Sequence, residues 1–178
     1  MRLKYLVFKE GYYWGAVDLK DQPSGSGKMT YQNGDVYDGE WQNGFMHGYG
    51  KMQYQNGDVY DGDWKFGERS GSGTMTYAEG NVYQGGWVGG SINGYGKMIY
   101  ADGDLYEGEW VDDRKFGHGK MEYANGFVYD GEWIDDERWG SGVYTYPNGA
   151  VYEGDLVENI ISGQGRMRYE NGDVYEGE

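Results

Sequence analysis

The 178-residue chain has no cysteine, two prolines and two histidines, and its 15 basic side chains are outnumbered by 30 acidic ones. Each scarcity removes a class of protein. Without cysteine there is no disulfide framework and no thiolate metal site. There is no Asn-x-Ser/Thr sequon either, so the chain is read as cytoplasmic. His47 and His118 occupy unlike places in the pattern described below, the eleventh and the thirteenth. They supply neither a Ser-His-Asp arrangement nor a His-rich metal site, so no catalytic residue, metal or cofactor is expected. A net charge of −15 argues against binding nucleic acid or anionic lipid, because both need Lys and Arg to neutralise phosphate. No apolar run approaches a membrane span, and the stretch Met1 to Phe8 is too short and too charged for a signal peptide.

What the chain has in quantity is glycine, 35 residues, and aromatic rings, 18% of the sequence. They are ordered by a strict period. Tyr37, Tyr60, Tyr83, Tyr106, Tyr129, Tyr152 and Tyr175 are each 23 residues apart. Each opens the same phrase, as in Tyr37-Asp-Gly39-Glu-Trp41 and Tyr106-Glu-Gly108-Glu-Trp110; Tyr152-Glu-Gly154-Asp-Leu156 is a weaker copy. Tyr13 begins an earlier copy with one inserted residue. Pairs such as Gly48 and Gly50 follow, then an apolar slot (Met52), a second tyrosine (Tyr54) and a turn glycine (Gly57). A period of this length marks a stack of supersecondary units.

Each unit reads as a β-hairpin. In Asp35 to Trp41, the residues Asp35, Tyr37, Gly39 and Trp41 share one face, and Val36, Asp38 and Glu40 share the other. The return strand Gly48 to Tyr54 alternates likewise. Six residues, Gln42 to His47, are expected to join the strands of a unit, and a tight turn at Gln55-Asn56-Gly57 to join one unit to the next. The fold class is therefore all-β, an elongated single-layer antiparallel meander; seven units at about 4.8 Å per strand would make a rod roughly 65 Å long. One face carries rings, methionine and glycine, the other carboxylates such as Asp61, Asp63, Glu107 and Glu109. With no second layer, rings of one unit are expected to lie over glycines of the next, where a missing side chain lets a ring approach the backbone. The Gly-x-Gly pairs are not dinucleotide fingerprints, since the third glycine and the helix are absent. The acidic stripe is a solvated face, because a strand spreads its carboxylates instead of converging them on Ca²⁺.

The ends differ from the middle. Residues 1–12 are expected to form a capping half-repeat with Leu3, Tyr5 and Val7 in the glycine, methionine and tyrosine slots, ahead of a tandem array over residues 13–178. The last repeat is truncated, for Glu178 stands one residue before the expected Trp. Either the chain is a fragment of a longer array, or an oligomer contact covers the strand edge at Asp173, Val174, Tyr175 and Glu176, with a homodimer through this end as the simplest closed form. The connecting segments hold Phe45, Met46, Phe66, Ile92, Phe116, Trp139, Ile160 and Ile161, an apolar margin.

The phrase Tyr-x-Gly-Glu-Trp, six residues, then Gly-x-Gly-x-Met-x-Tyr-x-x-Gly resembles the MORN (membrane occupation and recognition nexus) repeat, including a His47-Gly48-Tyr49-Gly50 step. The resemblance covers residues 13 to 178. Ser70, Asn93, Phe116, Trp139 and Ser162 depart from the histidine, and Asp113, Asp136 and Asn159 from the glycine seen at Gly44, Gly67 and Gly90. The resemblance implies a meander with a lengthwise groove, serving as a protein-binding or assembly scaffold, in some relatives at membrane–cytoskeleton junctions. The expected groove comprises Tyr37, Trp41, Tyr60, Trp64, Tyr83, Trp87, Tyr106, Trp110, Tyr129 and Trp133, taking a peptide or helix of a partner protein, because Tyr and Trp are favoured interface residues. The alternatives are an accessory module of a larger enzyme, of lipid kinase or lysine methyltransferase type, and direct lipid binding, which the charge disfavours.

The charge balance generates a first test. At physiological salt the protein is expected not to co-sediment with phosphatidylserine or phosphoinositide vesicles. Salt-sensitive co-sedimentation would contradict this and reveal a local basic surface.

Overall fold

The computed structural model describes residues 2–178, all strands and turns with no helix. Clustering of contacts gives two units, one ending at Ser91 and the other spanning Ile92–Glu178. The first holds β1 (Arg2–Phe8), β2 (Gly11–Val17), β3 (Pro23–Tyr31), β4 (Val36–Gln42), β5 (Phe45–Gln53), β6 (Val59–Lys65), β7 (Glu68–Thr76) and β8 (Val82–Val88). The second holds β9 (Ser91–Ile99), β10 (Leu105–Val111), β11 (Arg114–Glu122), β12 (Val128–Ile134), β13 (Glu137–Thr145), β14 (Val151–Val157), β15 (Ile160–Arg168) and β16 (Val174–Gly177). Within each unit every strand pairs antiparallel with its neighbour in the chain. The all-β antiparallel meander read from the period is the observed fold.

The connections are the reverse of the expectation. β4 runs on to Gln42 and β5 begins at Phe45, so only Asn43 and Gly44 form the turn, with φ of 51° and 84°. Two consecutive left-handed residues are the type I′ geometry that matches strand twist. The longer connection is Tyr54 to Asp58, where the Gly57 N–H donates to the Tyr54 carbonyl at 3.0 Å and the Tyr54 N–H to the Asp58 carbonyl at 2.9 Å. The six-residue count had absorbed a bulge. Gly39 faces Gly50, yet Trp41 faces Met46, so two residues of β4 oppose four of β5. Gly48 takes φ of 62° inside this bulge, and the Asp63 and Glu109 carboxylates of later repeats accept the bulge N–H groups of Ser72 and His118 at 3.0 and 3.2 Å.

The turn departures now have a physical reason. Asp113, Asp136 and Asn159 adopt φ of 68 to 70°, a region Asp and Asn tolerate. Their side chains accept the N–H groups of Ile92, Lys115 and Arg138 at 2.8, 3.1 and 3.0 Å, a bond that glycine cannot make.

The opening tyrosines form the core. Tyr13, Tyr37, Tyr60, Tyr83, Tyr106 and Tyr129 have no exposed surface. The rings of Tyr13, Tyr37, Tyr60, Tyr106 and Tyr129 lie on the glycine pair of their own hairpin, not of the next. A Cβ on Gly50 would sit 2.2 Å from the Tyr37 hydroxyl, and one on Gly73 2.3 Å from that of Tyr60. The tryptophans supply the reach between repeats. Trp41, Trp64 and Trp133 donate Nε1–H to the carbonyls of Gly27, Gly50 and Gly119, each at 3.0 Å and 14 residues back.

The first strand corrects one further expectation. Leu6, not Tyr5, faces Tyr13, and Lys4 faces Gly15. The one-residue slip moves Leu3, Tyr5 and Val7 to the opposite face, where they are exposed and Tyr5 stacks on Tyr12.

Two glycine substitutions separate these roles. Gly73→Ala should lower stability by at least about 1–3 kcal/mol through overpacking against Tyr60. Gly67→Asp, which could accept the Met46 N–H as Asp113 accepts that of Ile92, should be neutral or stabilising by up to about 1 kcal/mol. Urea-denaturation midpoints test both; equal losses would contradict the assignment.

Candidate functional site

The aromatic face is built in three rows. The innermost is a ladder of alternating tyrosine and tryptophan. In the first unit Trp41 meets Tyr13 and Tyr37 edge-on at 5.3 and 5.2 Å, Trp64 meets Tyr37 and Tyr60 at 5.2 Å each, and Trp87 meets Tyr60 and Tyr83 at 5.2 and 5.4 Å. In the second, Tyr106 meets Trp110 and Trp133 at 5.0 and 5.3 Å, and Tyr129 meets Trp133 at 5.3 Å. Edge-to-face pairs contribute about 0.5–1.5 kcal/mol each beyond burial. Each hydroxyl donates to the carbonyl three residues on, for example Tyr37 to Glu40 at 2.9 Å and Tyr106 to Glu109 at 3.0 Å. The rings of all ten groove residues named from the sequence are thus buried: the five tyrosines present no surface, and the five tryptophans at most 7%.

A second row lies above this floor. Pro23, Met46 and Arg69 in the first unit, and Ile92, Lys115, Arg138 and Ile161 in the second, share the 23-residue period. They are strand residues, not loop residues. The Arg69 guanidinium stands 4.5 Å from the centre of the Trp87 ring and donates to the Gly90 carbonyl. The Lys115 ammonium lies 5.4 to 5.5 Å from Tyr100, Tyr106 and Trp133, and 3.6 Å from the Asp136 carboxylate. Burial pulls the Lys115 ammonium below the usual lysine range, against the attraction of Asp136. Arg138 covers Tyr129 and Tyr144 at 5.6 and 5.4 Å. The sequence reading noticed Met46, Ile92 and Ile161 of this row and missed its cations, although the period that places Met46 also places Arg69.

The third row is half-exposed: Tyr31, Tyr54 and Tyr77 in the first unit, Tyr100, Tyr123 and Tyr146 in the second. Phe8 continues it by period at the start of the first unit. This row, with the second, forms what the aromatic face offers to solvent.

The opposite face is polar and open. Lys28 pairs with Asp38 at 3.8 Å and Lys51 with Asp61 at 3.7 Å across exposed strands, contacts worth about 0–1 kcal/mol. His118 stands 3.3 Å from Asp130, and Tyr49 bonds Asp61. Among the described residues no group of three or more His, Cys, Asp or Glu side chains is placed to hold a metal ion. Among the described residues no helix is long and apolar enough to cross a membrane. At β16, Tyr175 faces Met167 and Glu176 faces Arg166.

This geometry can be set beside known proteins. The MORN repeat matches residues 19–36, 37–59, 60–82, 83–105, 106–128, 129–151 and 152–174. The chain belongs to the MORN repeat family. No curated protein sequence matches it. Among solved structures it is similar to the SAS-4 (dCPAP) TCP domain of Drosophila melanogaster, solved in complex with a proline-rich motif of Ana2 (dSTIL), at 14% identity and a TM-score of 0.55, covering 98% of this chain and 88% of that one. The TCP10 domain of Danio rerio CPAP, in complex with a STIL peptide, matches at 14% identity and a TM-score of 0.47, over 99% and 94% of the two chains. At such identity the likeness is one of fold.

Burial of the tyrosines generates an alkaline prediction. Desolvation pushes the phenols of Tyr13, Tyr100 and Tyr129 from 10.0 up to about 12 and raises those of Tyr37, Tyr60 and Tyr106 as well. Between these values only the unfolded chain releases its protons, so stability is complete below pH 10 and falls as pH rises through about 12. Urea midpoints measured with tyrosinate absorbance test this. Core tyrosines ionising near pH 10 in a still-folded MORN array would contradict it.

Proposed function

We propose that this MORN array is a non-enzymatic scaffold that binds a partner protein on its aromatic face, acting in the cytoplasm or at cytoskeletal or membrane sites through that partner. The observation that carries the reading is the division of labour among the three rows. In each unit the buried tyrosines and tryptophans among the ten from Tyr37 to Trp133 form a floor. The accessible tyrosines and the cations Arg69, Lys115 and Arg138 stand on it in an otherwise acidic protein. Tyr and Arg on a pre-formed support are the residue types most often found as interface anchors, and little ordering entropy remains to be lost on binding. The Drosophila SAS-4 domain, which shares the fold, holds a peptide of its partner. The accessory-module and direct-lipid readings have no comparable feature in their support. Pairing through the edge at Asp173, Val174, Tyr175 and Glu176 is proposed alongside, as the place where two copies of the chain would meet.

The test is peptide selection from a random display library on the immobilised protein. Selected peptides should bind at least about tenfold more weakly to Tyr54→Ala or Arg69→Glu and be little affected by Asp38→Lys or Asp61→Lys on the polar face. Binders lost on the Asp38 and Asp61 reversals yet untouched by the aromatic-face changes would make the acidic face the functional surface.

A further inference from the structure

In the first unit the third row runs Phe8, Tyr31, Tyr54, Tyr77, and two hollows open between its members. One, of about 290 Å³, is lined by Phe8, Pro23, Met29, Tyr31 and Trp41, with Glu10 and Asp21 at its margin. The other, of about 410 Å³, is lined by Tyr54, Gln55, Asn56, Arg69, Met75 and Tyr77, with Asp35 and Asp58. Between them the Tyr31 hydroxyl donates to the Met46 sulfur at 3.8 Å. Aromatic rings flank both hollows, the first mainly apolar and the second mixed, and form a surface for a ligand with a matching interval.

The interval narrows the ligand. One repeat is two strands, a step of about 9.6 Å at about 4.8 Å per strand. A polyproline II helix advances about 9.3 Å in its three-residue turn, so every third residue of such a segment meets an equivalent position. The two hollows, two repeats apart, are then separated by about six residues of the ligand. An α-helix rises about 5.4 Å per turn and stays out of register with the repeat; an extended strand returns a side chain to one face about every 6.7 Å, so it comes into step only at every second repeat, after about 20 Å. The charge selects further. Glu10, Asp35 and Asp58 border the hollows, Asp21 is held by Arg2 and Lys4 at 3.0 and 2.6 Å, and the Arg69 guanidinium is already engaged by Trp87 and the Gly90 carbonyl.

We propose that the first unit binds a proline-rich segment in polyproline II conformation that carries a basic residue, lying across the strands with prolines between Phe8 and Tyr31 and between Tyr54 and Tyr77. The pre-set backbone of such a segment loses little entropy on docking, and its exposed carbonyls are acceptors for tyrosine hydroxyls. This deepens the reading of the aromatic face as the partner site and rests on it.

The experiment is calorimetric titration of the full chain with three probes of equal charge: ten prolines flanked by arginines, the same length of alternating Gly and Ser flanked by arginines, and an amphipathic helical peptide. The proline probe should bind at least about tenfold more tightly than the Gly-Ser probe, and lose at least about tenfold on Tyr54→Ala or Tyr77→Ala but not on Tyr49→Ala. Near-ultraviolet circular dichroism verifies that the variants stay folded. Equal binding of the first two probes overturns the proposal without any variant. Preference for the helical probe, still lost on Tyr54→Ala, overturns the polyproline assignment and leaves the face intact. Binding of all probes that ignores Tyr54 and Tyr77 and vanishes on Asp61→Lys overturns the face as well.

Discussion

The contact between a buried tyrosine ring and a pair of facing glycines is the constraint on which the structure depends. Gly39 and Gly50 face each other across β4 and β5, and the Tyr37 ring fills the space their side chains would need. No second layer covers this face within either unit, so the ring must be buried by its own backbone. The seat also brings the hydroxyl to the carbonyl of Glu40, which removes the cost of burying a polar group. Repetition every 23 residues turns this local solution into a core.

The tryptophans convert separate hairpins into a stack. Trp41, Trp64, Trp87 and Trp133 each span two tyrosines and bond a glycine carbonyl 14 residues earlier, as Trp64 does with Gly50. Once tyrosine and tryptophan are committed to this work, they have little surface for a partner. The proposed partner site therefore rests on the positions above this floor, the row of Arg69, Lys115 and Arg138 and the half-exposed row of Tyr54 and Tyr77. The acidic excess is divided in the same way. Asp35, Asp58 and Asp104 accept the N–H groups of Gln55, Ala78 and Ala124, each at 2.8 Å in the following repeat, while Asp38 and Asp61 remain on the open polar face.

The strand directions, the antiparallel order and the two faces were legible in the sequence because alternation and a fixed period report them directly. The bulge was not. Nothing in Asn43 to Tyr49 distinguishes a six-residue loop from a two-residue turn followed by a bulged strand, since both place Gly48 and Gly50 at the same spacing. The slip of β1 was hidden for a similar reason: Leu3, Tyr5 and Val7 alternate with Lys4, Leu6 and Phe8, so either set satisfies a period of two. The ten residues expected to form the groove share the aromatic face, but sequence could not tell a buried ring from an open one, and these rings are buried. The cations escaped notice because Arg69, Lys115 and Arg138 share with Pro23, Met46, Ile92 and Ile161 a position defined by geometry, not by residue type.

The central claim is that one tyrosine row builds the protein and another meets the partner. Tyrosine nitration mapped by mass spectrometry, with and without a bound peptide, tests it most directly. The account predicts that Tyr37, Tyr60 and Tyr106 stay unmodified throughout, and that Tyr54 and Tyr77 react in the free protein and are protected in the complex. Nitration of Tyr37 and Tyr60 in the folded protein, or protection confined to Tyr49 and Tyr95 on the polar face, would contradict it.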